Sequence, residues 1–137
     1  MQLTQLIYTS RPFGFDAATL DDILMSARTH NRRDGITGAL ICRADLYMQL
    51  LEGPRQVVTN TFRRILQDDR HLDVALVWCG DVAARLFPDW DMRDDPPRSW
   101  MWNQAAVSAG AVREAAMETI RDIFARLAIE PREEQPC

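Results

Sequence analysis

The order of strand-like and helix-like segments restricts this chain more than any other feature. Leu3 to Thr9 reads as a short strand rich in Leu, Ile, Tyr and Thr, ended by Ser10-Arg11-Pro12-Phe13-Gly14. A helix follows with Leu20, Ile23, Leu24 and Ala27 on one face. Thr19 and Asp22 have capping-box spacing at its start, Asp16 is a competing cap, and the helix is expected to close near His30-Asn31. Asp34-Gly35 turns the chain into a strand over Ile36 to Cys42. Arg43-Ala44-Asp45 then connects it tightly to another over Leu46 to Glu52, which predicts a hairpin.

Gly53-Pro54 stops that strand, and Pro54 suits the start of a second helix with a buried stripe of Val58, Phe62, Ile65 and Leu66. Val74 to Val82 is predominantly apolar and is expected to be a strand buried on both faces. A short fifth strand is expected around Trp90 to Arg93, and Asp94-Asp95-Pro96-Pro97 closes the unit. Val112, Ala116, Ile120, Ile123 and Leu127 then repeat at helical spacing, followed by a charged tail.

This order predicts an α+β fold, a ferredoxin-like βαββαββ sandwich. Its mixed five-stranded sheet would carry the two helices on one face and the C-terminal helices on the other. The first and third strands would be central neighbours, with Tyr8 and Gln49 side by side beneath the two helices. The expected organisation is one unit over residues 1–95, a helical cap over 96–130 and a frayed tail over 131–137.

With 137 residues and a net charge of −4, the chain is sized for one core and carries no long basic block. Nucleic acid and anionic membrane surfaces are therefore not expected partners. No apolar run approaches the ~20 residues of a membrane span, and the N-terminus has no secretory pattern. Cys42 and Cys79 lie in strand-like runs and, with Cys137, make an odd number. Buried reduced thiols and a cytoplasmic location are the expectation.

The catalytic inventory is poor. There is no G-x-G-x-x-G or P-loop pattern. The two histidines, His30 and His71, fit no zinc motif. Asp21-Asp22, Asp68-Asp69 and Asp94-Asp95 read as solvated pairs, because sequence neighbours on a helix do not face each other. No serine sits in a nucleophile elbow. A non-enzyme is expected.

An ordered series of short segments carries a resemblance. It runs through Leu6-Ile7-Tyr8-Thr9-Ser10, Ala27-Arg28-Thr29-His30-Asn31, Asp34-Gly35-Ile36-Thr37-Gly38-Ala39-Leu40 and Tyr47-Met48-Gln49-Leu50-Leu51-Glu52-Gly53-Pro54. It continues with Asp68-Asp69-Arg70-His71 and Arg85-Leu86-Phe87-Pro88-Asp89-Trp90-Asp91-Met92. From about residue 2 to 95 this series resembles the BLUF family, sensors of blue light that use FAD. The resemblance implies a flavin, FAD with FMN as the alternative, held between the two helices. It also implies a short BLUF protein that signals to a separate downstream partner, and the amphipathic C-terminal helix suits a homo-oligomer.

The resemblance also assigns roles. Tyr8 would donate an electron and a proton, and Gln49 would be the amide whose rearrangement changes the hydrogen bonds around the flavin. Asn31 would hydrogen-bond the flavin's carbonyl and imide edge, although an asparagine there also suits a helix C-cap. Ile23 and Ile65 would sandwich the ring. Arg32, Arg64, Asp68, Arg70 and His71 lie where family members contact the pyrimidine edge, ribityl chain or phosphates. Trp90 and Met92 match a strand in which either residue can take the inward position. Leu50 stands where some members carry a second aromatic donor. Trp78, Trp100 and Trp102 receive no role. The rival readings are an acylphosphatase-like hydrolase on the same fold and an interaction module that no longer binds flavin.

Overall fold

The computed structural model describes residues 3–12, 17–43, 45–96, 98 and 100–131. The elements are β1 (Leu3–Pro12), α1 (Ala17–Asp34), β2 (Thr37–Cys42), β3 (Tyr47–Pro54), α2 (Arg55–Leu66), β4 (His71–Val82), β5 (Arg93–Asp95), α3 (Gln104–Ser108), α4 (Ala111–Glu114) and α5 (Met117–Ala128). The strands form one sheet in the order β4-β1-β3-β2-β5. The β1–β3, β1–β4 and β2–β3 pairs are antiparallel, and β2–β5 is parallel. The expected α+β, ferredoxin-like class and the central β1–β3 pair are therefore observed.

Strand alternation sorts the core into two layers. On one face Leu6, Tyr8, Leu40, Tyr47 and Leu51 pack with Ile23 and Leu24 of α1 and Val58 of α2. On the other, Ile7, Ala39, Ile41, Met48 and Leu50 pack with Ile120, Ile123, Phe124 and Leu127 of α5. One-residue steps along β1 and β3 thus connect the two layers.

Several local expectations change. Helix α1 begins at Ala17, so Thr19 lies inside it rather than capping it, and Asp16 lies outside the described residues. The helix also runs past His30-Asn31 to Asp34. Gly35, at φ 73°, supplies the left-handed residue there. Ile36 N–H then reaches back to Asn31 O at 2.9 Å, the long-range bond of a Schellman ending. Asn31 is therefore a full turn inside the helix and is not its cap.

Strand β4 is not buried on both faces. Among the described strands it stands at the end of the sheet, beside β1, and several of its side chains are exposed, Leu76 at 54%. Strands β1, β2 and β3 are the ones buried on both faces. Leu66 is likewise exposed rather than part of the α2 stripe.

Strand β5 forms from Arg93–Asp95 and not from Trp90 to Arg93. Its charges are tolerated because Asp95, fully buried, is bridged by Arg93 at 2.7 Å and Arg98 at 2.8 Å. Asp94 is also buried and pairs with Arg28. The reading of Asp94-Asp95 as a solvated pair is therefore corrected. The C-terminal periodicity does not make one helix, since the chain breaks between α4 and α5 and Ala116 is the exposed residue preceding α5.

The cysteines also differ from expectation. Cys42 is buried but disulfide-bonded, and Cys79 is free and exposed on the edge strand. No helix among the described residues is long and apolar enough to cross a membrane. The tail expected to fray, apart from Pro131, lies outside the described residues.

Candidate functional site

Tyr8 and Gln49 are directly opposite in the β1–β3 register, which brings their side chains together on the face beneath α1 and α2. Tyr8 is completely buried and Gln49 nearly so. The Tyr8 hydroxyl donates to Gln49 Oε1. The other end of the amide, Nε2, donates to Met92 Sδ at 3.3 Å. Phenol, carboxamide and thioether thus stand in series, with Met92 inward and Trp90 turned out to 39% exposure.

The surroundings keep the phenol neutral. Burial pushes the Tyr8 hydroxyl far above the ordinary tyrosine range, and the nearby Asp68 carboxylate adds to the shift. Asp68 is held below the usual carboxylate range by hydrogen bonds from Arg70, at 2.6 Å for the closest contact. The Tyr8 ring packs tilted against Phe62 at 5.5 Å and edge-on to His71 at 6.0 Å. His71 accepts or donates to Ser10 Oγ through Nδ1 at 2.9 Å and also meets Tyr47.

Asn31, 1% exposed, donates through Nδ2 to Asp91 O at 2.8 Å. Its Oδ1 has no hydrogen-bond partner among the described residues. A buried acceptor left open costs about 1–3 kcal/mol, so this atom is free to accept from a donor group placed beside it. Ile23 of α1 and Ile65 of α2 lie over the same layer as Tyr8 and Met92. An open buried acceptor, two isoleucines from α1 and α2 and a buried amide on one face fit a planar heteroaromatic group with an imide edge.

The remaining expected residues lie farther out. Arg32 is largely exposed and pairs with Asp91 at 3.0 Å, while Arg64 reaches Thr61 at 3.3 Å and Asp34 at 3.8 Å. Asp68 and Arg70 bind mainly each other in the turn before β4. Sequence reasoning assigned no role to Arg28, although it lies in a quoted segment and holds Met92 O and Asp94. It also missed Glu52, whose carboxylate receives two backbone N–H groups from the loop after β4. Neither role had a local signal, because both partners lie more than 30 residues away.

Comparison with known proteins decides the family. A model of the BLUF family, sensors of blue-light using FAD, matches residues 3–93. The chain belongs to the BLUF family. It is 35% identical over 91 residues to photoactivated adenylate cyclase subunit beta of Euglena gracilis, covering 66% of this chain and 10% of that protein. It is also 33% identical over 86 residues to the blue light- and temperature-regulated antirepressor BluF of Escherichia coli (strain K12), covering 62% of this chain and 21% of that protein. The BLUF chain thus spans about a tenth of the length of the cyclase subunit. Among solved structures, the dark-state BLUF protein BlrB superposes with TM-score 0.78 at 29% identity, covering 93% of this chain and 96% of that one. BlsA in its photo-activated state, at 22% identity and TM-score 0.79, shares the fold.

BLUF domains are flavin-binding sensor modules rather than catalysts. The hydrolase alternative finds no support here. Arg11 remains in β1 and pairs with Asp73 at 2.9 Å. Among the described residues no cluster of His, Cys, Asp or Glu could hold a metal ion.

The buried histidine makes the fold sensitive to mild acid. Burial holds His71 below its ordinary pKa of 6.5, more strongly than the Asp68 carboxylate raises it. The unfolded chain then binds a proton at a pH where the folded chain does not, so stability is complete above about 6.5 and falls as pH drops through the folded value. The melting temperature should decline as the pH falls below about 6.5, and His71→Phe should flatten that slope. Parallel pH profiles for the two proteins would exclude His71 as the cause. Asp68 acts in a separate, more acidic window, below the ordinary carboxylate value of about 3.9.

Proposed function

We propose that this BLUF chain is a blue-light photoreceptor that holds FAD, with FMN as the alternative, between α1 and α2. The Tyr8–Gln49–Met92 series is the observation that carries the proposal. When bound, the isoalloxazine would supply a light-excitable one-electron oxidant. Ile23 and Ile65 orient the ring and exclude water, and Asn31 Oδ1 offers an acceptor to the imide edge. Arg32, Arg64, Arg70, Asp68 and His71 form the more polar surroundings for the ribityl chain and phosphates.

Tyr8, kept protonated by burial, is the local source of an electron and of the proton at its Oη. Gln49 stands in line to receive that proton at Oε1. An amide presents one donor and one acceptor, so turning it over exchanges what it offers to Tyr8 and Met92. Redox balance is restored when electron and proton return to Tyr8, while the amide retains its new orientation. No net reaction is required.

The proposed division is a flavin-binding unit over residues 1–95 and an output cap over 96–130. Movement at Met92 would reach β5 and then the helices on the opposite sheet face. Those helices would present a changed surface to a second copy of the chain and to a separate signalling protein. The curated relatives join this kind of domain to a cyclase and to an antirepressor, which supports an output of this type without naming the partner.

The test is an absorption spectrum of the purified chain supplied with FAD or FMN, before and after blue light. A small, reversible red shift is expected. Failure to retain either flavin, or a spectrum unchanged by light, would overturn the proposal.

A further inference from the structure

Three consecutive backbone carbonyls in the segment leading to β5 are held from outside that segment. Trp90 O accepts from Gly38 N at 3.1 Å, and Asp91 O accepts from Asn31 Nδ2 at 2.8 Å. Met92 O accepts twice from one guanidinium, from Arg28 Nε at 3.2 Å and Nη2 at 3.0 Å. Arg28 and Asn31 are three residues apart on α1, hence on the same face. The Arg28 group also reaches Asp94 Oδ1 at 2.9 Å. One planar fork therefore spans the residue that carries the thioether and the carboxylate two positions later.

We propose that Arg28 is a positioning residue that fixes the Met92 thioether against the Gln49 amide. The segment from Ala83 to Met92 contains no helix or strand and joins the β2–β5 ladder only at Arg93. Backbone pairing with β2 anchors its end, and the side-chain bonds from Asn31 and Arg28 fix the two carbonyls before that ladder. Met92 is 1% exposed and receives Gln49 Nε2, so a small slip of its backbone would separate the two groups. A guanidinium suits this task because its rigid fork can hold a carbonyl and a carboxylate together, whereas an ammonium concentrates its charge at one point. The charged groups around the fork are Asp94, which it binds, and Asp91 and Arg32, which bind each other one helical turn away. The inference deepens the photoreceptor reading by naming what holds the acceptor of its amide, and its relevance to light rests on that reading.

The test uses the full chain with methionine methyl groups labelled with carbon-13, the Met92 signal being assigned by Met92→Leu. In Arg28→Ala the Met92 methyl resonance should move toward the position of free methionine, both with and without flavin. Arg28→Lys should restore part of the difference. In the flavin-loaded protein, Arg28→Ala should retain the light-induced red shift, because Tyr8 and Gln49 remain, while its dark recovery rate changes at least fivefold. An unchanged Met92 resonance in Arg28→Ala, or an unchanged recovery rate beside a photocycling wild type, overturns the positioning role. Should Arg28→Ala fail to fold, Arg28→Lys and Asp94→Asn make the same comparison with the charge of one partner retained. A wild-type chain that does not photocycle sinks the photoreceptor reading instead, and the flavin-free methyl spectra still decide whether Arg28 holds Met92.

Discussion

Replacing Gln49 with leucine is expected to abolish the reversible light-induced red shift while leaving flavin bound. Leucine has similar bulk and keeps the apolar packing beneath the helices, but it has neither donor nor acceptor. Tyr8 Oη then loses its acceptor and Met92 Sδ its donor. Tyr8 retains its phenol, so light-driven electron loss from it remains chemically available, but nothing can store the changed hydrogen bonding afterwards. A difference spectrum at full illumination should therefore fall below detection, rather than decline by a modest factor. The fold should survive, since one buried hydroxyl without a partner costs about 1–3 kcal/mol. A flavin-loaded Gln49→Leu protein that still gives the wild-type shift would show that the amide is not the switch.

The largest stability effect is expected from Glu52→Ala. Glu52 is fully buried at the end of the strand that carries Gln49. Its Oε1 accepts from Leu86 N at 2.8 Å and Gln5 Nε2 at 3.4 Å. Its Oε2 accepts from Phe87 N at 2.7 Å and Thr37 Oγ1 at 3.0 Å. Arg85 closes the arrangement by donating to Thr37 Oγ1 at 2.8 Å and Glu52 O at 3.0 Å. Alanine leaves two backbone N–H groups of the loop without their acceptor, together with the space of the lost side chain. Each such group costs about 1–3 kcal/mol when it is shielded from water, so a loss of about 3 kcal/mol or more is expected. That is a large part of the roughly 5–15 kcal/mol that holds a domain folded. Urea unfolding of the two proteins measures it directly. A difference below about 1 kcal/mol would mean that water or neighbouring side chains replace the carboxylate.

The two substitutions probe opposite faces of one strand. Gln49 faces the helices α1 and α2, whereas Glu52, an odd number of residues on, faces the layer under α5 where Phe87 is buried. Glu52 thereby pins the start of the loop whose end delivers Met92 to Gln49. The proposed switch and the Glu52 network share β3, but they can be separated experimentally by one reading colour and the other reading stability.

The element order and the Tyr8–Gln49 juxtaposition were legible from residues alone. The Leu-, Ile-, Tyr- and Thr-rich composition of Leu3 to Thr9 and the Arg43-Ala44-Asp45 turn report local geometry, and a ferredoxin-like order leaves few ways to pair the strands. The family resemblance supplied the candidate roles of Asn31, Ile23 and Ile65. Other features depended on partners remote in sequence. An apolar run such as Val74 to Val82 looks the same whether it has one neighbouring strand or two. A charged Arg93–Asp95 looks like a loop until Arg98 and Arg28 are placed beside it. Trp90 and Met92 could not be ranked for the inward position, because the bonds that place them come from Gly38, Asn31 and Arg28, more than 50 residues earlier.

By itself, then, the sequence determined the fold class and, through the resemblance its short motifs carry, the family and the candidate phenol and amide, because periodicity and short motifs are local properties. Only the tertiary structure decided that Met92 lies inward, that β4 is an edge, and that Arg28 and Glu52 frame the site. Those outcomes are settled by which distant donors and acceptors meet once water is excluded, and a linear pattern does not encode that meeting at any single position.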